Sequence, residues 1–91
     1  MFDLQSRSVL VTGGSKGIGR GIAGVFARAG ADVAVAARSS ADRDEAVGAL
    51  DELGAGKVVG VRVDVSDRES CTEMAATVVE AFGGLDVLCA N

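Results

Sequence analysis

Residues 12–20, TGGSKGIGR, place four glycines and a lysine directly behind the apolar run SVLV at 8–11. Glycines at the end of a strand let the backbone approach an anion with no Cβ in the way. A helix starting there adds free N–H groups and a partial positive charge. The chemistry that suits this spacing is a grip on phosphate. One such glycine alone reads as a tight strand-to-helix turn; the whole stretch asks for more. The pattern GxGxxG is met literally by Gly19, Gly21 and Gly24, but these fall inside the following helix rather than in the turn. A Walker A reading of residues 14–21 fails because Arg20 and Gly21 stand where Lys and Ser or Thr are required. What remains is TGxxxGIG, formed by Thr12, Gly13, Gly17, Ile18 and Gly19.

The rest of the chain bounds what such a turn can serve. Its 91 residues are 48% hydrophobic and 24% charged, enough for one globular core but short for a whole domain. With His 0 and Tyr 0, it lacks the side chains most used for proton transfer near neutral pH. A net charge of -4 with scattered Lys and Arg argues against a nucleic-acid surface. Cys71 and Cys89 have no CxxC spacing and no basic neighbour in sequence, so they read as reduced core thiols, with neither a disulfide nor a metal site expected. No apolar run is long enough for a membrane span, and the expected compartment is the cytosol.

The elements that must position the turn alternate regularly. SVLVT (8–12), DVAVAA (32–37), KVVGVRVDV (57–65) and LDVLCA (85–90) are short and Val-rich, as strands buried on both faces are. Between the first two, Ile18, Ile22, Val25 and Phe26 recur at helical spacing. A second helix is capped by Ser40 and carries Ala46, Leu50 and Leu53 on one face. A third begins at a Ser66/Glu69 capping box and buries Cys71, Met74, Val78 and Phe82. The result is βαβαβαβ, an α/β chain with a parallel sheet. Ligands of such sheets sit beyond the carboxyl ends of the strands, where the glycine stretch lies.

With TGxxxGIG in that place, the sequence resembles the short-chain dehydrogenase/reductase family over essentially its whole length. The resemblance implies a Rossmann-like doubly wound sheet of order 3-2-1-4, incomplete relative to the family fold, with residues 1–91 as the N-terminal part of a single NADP-binding domain. Gly13 then makes the turn, Ser15, Lys16, Gly17 and Ile18 lie near the diphosphate, and Gly19 allows close helix packing. At the end of the second strand the family's acidic position holds Ala37, followed by Arg38 and Ser39; with Lys16 this implies NADP rather than NAD. VDV at 63–65 resembles the adenine-contacting segment and carries over Asp64 and Val65. LDVLCAN resembles the run into an NNAG motif, with Ala90 in place of the first Asn and Asn91 matching the second. The implied reaction moves hydride between the nicotinamide and a carbonyl or alcohol, as in 3-oxoacyl carrier-protein reductases. Its Ser, Tyr and Lys catalysts lie beyond that motif, so no catalytic residue is assigned in this chain.

Blander readings stand beside these. Lys16 and Arg38 are otherwise solvated surface cations, and Asp64 can simply end a strand. Asp32 and Asp86 read as solvated turn residues, and Ala36 and Ala37 either make room for adenosine or merely pack. The alternative for the whole chain is a stand-alone, non-catalytic nucleotide-binding module; a reading frame continuing into Tyr-x-x-x-Lys separates the two. A sheet of order 3-2-1-4 with two helices on one face leaves Leu85, Val87, Leu88 and Cys89 as an apolar edge. The expected cover is the missing C-terminal half or another copy of the chain, with a homo-oligomer expected of the intact protein.

Overall fold

A computed structural model describes residues 6–90. Strand β1 (Ser8–Thr12) is buried at all five positions, which only a central strand covered on both faces achieves. It pairs in parallel with β2 (Asp32–Ala37) on one side and β4 (Val87–Cys89) on the other, and β2 pairs in parallel with β3 (Val58–Arg62). The sheet order is therefore β3-β2-β1-β4, the Rossmann-like arrangement expected. Helices α1 (Gly17–Arg28), α2 (Ser40–Glu52) and α3 (Arg68–Phe82) make the connections.

Side chains alternate across a strand, and the two faces form two separate cores. Val9, Val11, Val33 and Val35 pack with Ala23 and Ala27 of α1 and with Ala46 and Leu50 of α2. Leu10, Ala34, Ala36, Val61 and Val63 pack with Met74 and Val78 of α3. Two helices thus cover one face and one covers the other. The edge strand β4 is exposed, Leu88 by 57% and Val87 by 37%.

Local details depart from the sequence reading in four places. The buried face of α1 is Gly19, Ala23, Gly24 and Ala27; Ile18 and Val25 are 76% and 63% exposed, while Ile22 and Phe26 sit at the core margin. Small residues carry that contact because the helix lies close on the sheet. Helix α2 is capped by Ser39, not Ser40, with Ser39 Oγ accepting from the Asp42 N–H at 3.3 Å. Helix α3 is capped by Asp67, which accepts from the Glu69 and Ser70 N–H groups at 3.0 and 3.5 Å. Ser66 lies one residue before the cap, its hydroxyl donating to Asp64 at 2.7 Å. Strands β3 and β4 are shorter than the apolar runs that contain them, since Asp86 and the turn at 64–67 belong to the connections.

Asp32 and Asp86 do more than face water. The Asp32 carboxylate accepts from the Lys57 N–H at 2.8 Å, and that of Asp86 accepts from the Ser8 N–H at 2.8 Å. Each joins the start of one strand to the start of its neighbour.

Packing at the glycines sorts them into tight and open positions. A Cβ built on Gly14 would lie 2.9 Å from Val35 Cγ1 and 3.0 Å from the Val11 carbonyl oxygen, whereas Gly21 and Gly48, inside helices, face open space. Gly14→Ala is expected to lower stability by about 1–3 kcal/mol through overpacking. Gly21→Ala and Gly48→Ala are expected to raise it by about 0.4–1 kcal/mol each through lost unfolded-state entropy. Urea midpoints at unchanged m-value measure both, and a stabilising Gly14→Ala would contradict the packing described.

Candidate functional site

Beyond the carboxyl ends of β1 and β2 the surface opens into a cavity of about 340 Å³. The β1–α1 turn contributes Gly13 and Ser15 to its wall, the end of β2 contributes Ala36 and Ala37, and the next turn contributes Arg38 and Ser39. Asp42 enters from the first turn of α2, and Val63 and Val65 come from the segment after β3. Ala37 and Val65 give one side of the cavity an apolar surface, and the glycine turn with Arg38, Ser39 and Asp42 forms the polar side.

The turn's shape follows from its glycines. Gly13 and Gly17 hold φ of +67° and +57°, a region that L side chains rarely enter. The Gly13 N–H donates to the Ala36 carbonyl at 2.8 Å, tying the turn to the end of β2. Ser15 is buried, and its carbonyl accepts from Arg20 Nη1 at 3.3 Å; the same nitrogen lies 3.5 Å from Glu45 Oε1 on α2. Helix α1 then starts from Lys16 with no side-chain cap and no acidic residue in its first turn. Helices α2 and α3 are both capped. Among the described helices, the uncapped start belongs to the one whose turn lines the cavity, where a bound anion can satisfy the N–H groups.

Arg43 fixes the opposite wall. Its Nη1 donates to the Ala37 carbonyl at 2.8 Å and to the Arg38 carbonyl at 3.1 Å, holding the backbone that carries Arg38 and Ser39. Its stem passes over Gly60 of β3, where a Cβ would come within 3.1 Å of Arg43 Cβ. Lys16 reaches across the opening to Asp42, Nζ to Oδ2 3.2 Å.

Of the residues expected from sequence, Gly13, Ser15, Arg38, Ser39 and Val65 line the cavity, and Lys16 borders it through Asp42. Gly17, Ile18 and Gly19 form the first turn of α1 and are not in the cavity wall; Gly19 is buried. Asp64 is not in the wall either. Its carboxylate accepts from the Ser66 hydroxyl at 2.7 Å and the Ser66 N–H at 3.1 Å, closing the turn that presents Val65. Asn91 lies outside the described residues. Asp42, Arg43, Arg20 and Val63 were missed as site residues. Asp42 and Lys16 are far apart in sequence and meet only through the βαβ crossover, and no local spacing signals that.

The arrangement offers the shape and charge to hold a phosphate-bearing ligand beside an apolar surface. Among the described residues no group of three or more His, Cys, Asp or Glu could hold a metal ion. No helix among them is long and apolar enough to cross a membrane.

The Ser66 hydroxyl first and its N–H second hold the Asp64 carboxyl below its ordinary range; desolvation opposes them, and the charges of Arg38 and Arg62 add a lesser lowering. A depressed native pKa means that the turn's contribution is present above the unfolded value and lost as pH falls through the native one. A carbon-detected NMR titration is expected to place Asp64 below free aspartate, and Ser66→Ala to move it upward. No movement in Ser66→Ala would contradict the assigned cause.

Comparison with known proteins places this geometry. The short chain dehydrogenase family model matches residues 7–91. The chain is 46% identical to the short chain dehydrogenase mpl6 of Monascus purpureus, with 96% of this chain and 32% of that protein aligned. It is 39% identical to an L-rhamnose 1-dehydrogenase (NAD(P)(+)) of a Sphingomonas species, over 97% of this chain and 35% of that one. The solved structure of a short-chain type dehydrogenase/reductase from Mycobacterium ulcerans superposes with a TM-score of 0.92 at 31% identity, covering 98% of this chain and 33% of its own. The chain therefore spans about a third of the length of these relatives. A matching family model from Arg7 onward, a shared sheet order and a glycine turn beside the cavity lead to one conclusion: the chain belongs to the short-chain dehydrogenase family.

Proposed function

We propose that this chain is the NADP(H)-binding part of an oxidoreductase that interconverts a carbonyl and an alcohol. The family binds nicotinamide dinucleotides, and the uncapped start of α1 beside the cavity fits their diphosphate. The observation that favours the 2′-phosphorylated form is the end of β2. Ala37 stands where an acidic side chain would hold ribose hydroxyls, and Arg38 follows it in the cavity wall, with Lys16 at the rim. Arg43 keeps Arg38 in place through the backbone, and the Ser39 hydroxyl, which accepts the α2 cap bond, still has its proton to donate. Ala37 and Val65 give the adenine an apolar surface.

When bound, the cofactor supplies the hydride. This chain's residues bind and orient it, and with neither His nor Tyr in the sequence they provide no acid matched to a carbonyl oxygen. The stand-alone binding module remains the second reading for that reason.

Two measurements test the proposal. Isothermal titration is expected to show NADPH bound tighter than NADH by roughly tenfold to a hundredfold, from a charge-assisted contact of about 1.5–3 kcal/mol. Arg38→Ala is expected to remove most of that difference, and equal affinities in the unaltered chain would defeat the assignment. A verified 91-residue preparation is also expected to show no carbonyl-dependent oxidation of NADPH; turnover there would refute the division of labour proposed.

A further inference from the structure

Asp42 belongs to no element of the family pattern described above, yet it is the one carboxylate in the cavity wall. Its Oδ2 holds Lys16 Nζ at 3.2 Å, and its carboxylate is less exposed than the lysine it holds, 30% against 75%. We propose that Asp42 is a specificity-determining residue that acts as the internal counter-ion of Lys16, lowering the preference of the site for a 2′-phosphate. The proposal rests on the NADP reading of the same cavity.

The argument is electrostatic. A 2′-phosphate entering between Arg38 and Lys16 must draw Lys16 from a partner already in hydrogen-bonding range, and it meets the Asp42 carboxylate as a like charge. A ribose with a free 2′-hydroxyl meets neither obstacle, because a carboxylate accepts from a hydroxyl. Lys16, one of the two cations at the opening, is thus partly neutralised by an acid of the same chain. The result is a site that discriminates less sharply than its two cations alone would.

The α2 cap does not depend on the carboxylate. The cap of α2 is made by the Asp42 backbone N–H to Ser39 Oγ, not by the Asp42 side chain. Replacing the carboxylate therefore leaves the cap bond in place.

The test uses the full chain with adenosine 2′,5′-bisphosphate and 5′-AMP, which differ only in the 2′-phosphate. Asp42→Asn and Asp42→Ala are each expected to raise the ratio of the two affinities by roughly threefold to tenfold, the range set by an exposed ion pair plus one like-charge contact. Far-UV circular dichroism confirms that each variant is folded. Lys16→Gln is expected to lower the ratio, and adding Asp42→Asn to it is expected to recover less than Asp42→Asn gains alone. A preference in the unaltered chain that neither Asp42 variant raises overturns the inference and leaves the NADP reading standing. Equal gains with and without Lys16 overturn the counter-ion role. A ratio near one in the unaltered chain and in every variant overturns the NADP reading itself, and the inference with it.

Discussion

The contact on which the rest depends is the seating of Gly14 against the ends of β1 and β2. With no Cβ there, the backbone lies against the Val11 carbonyl and the Val35 side chain, and the neighbouring Gly13 N–H reaches Ala36. The chain thereby leaves the sheet at its centre without lifting away from it. Helix α1 then starts low enough for alanines and glycines to form its buried face, and its first turn opens beside the cavity instead of above it. A larger residue at this point would displace the turn and the helix start together, because core packing leaves no slack.

The two ends of the sheet solve the same backbone problem differently. Where the strands begin, the Asp32 and Asp86 carboxylates accept N–H groups of the neighbouring strands, so that end is closed by the chain's own acids. Where β1 and β2 end, glycine turn, cations and small apolar side chains leave a concave surface. The polarity of a parallel sheet makes this division possible, since all strand starts lie on one side. The open cavity at the carboxyl ends is thus matched by carboxylate closure at the amino ends.

Much of the fold was legible because burial and sequence pattern agree in the central strands. The bounds of β1 and β2 follow from unbroken apolar runs, and two helices on one face follow from the crossovers. The face of α1 was misread because large residues draw attention while the contact itself is made by Gly19, Ala23, Gly24 and Ala27. Both caps were displaced by one residue, since in the pairs Ser39/Ser40 and Ser66/Asp67 either member has the right chemistry and only the backbone path decides. The glycine turn was readable from its spacing, and the place of Arg38 and Val65 beside it from the family resemblance. The opposite wall was not, because Arg43 acts on the carbonyls of Ala37 and Arg38 through a path over Gly60 that no local pattern encodes.

Helices α1 and α2 meet along a seam with a graded character. At the cavity end it is spanned by two rungs, Lys16 to Asp42 and, one turn further along α1, Arg20 to Glu45, and both are open to solvent. At the far end Gly24 abuts Leu53, a contact without charge. Ions in solution weaken the rungs and leave the apolar end untouched. The seam therefore behaves like a book bound along an apolar spine, with its charged fore-edge facing the cavity.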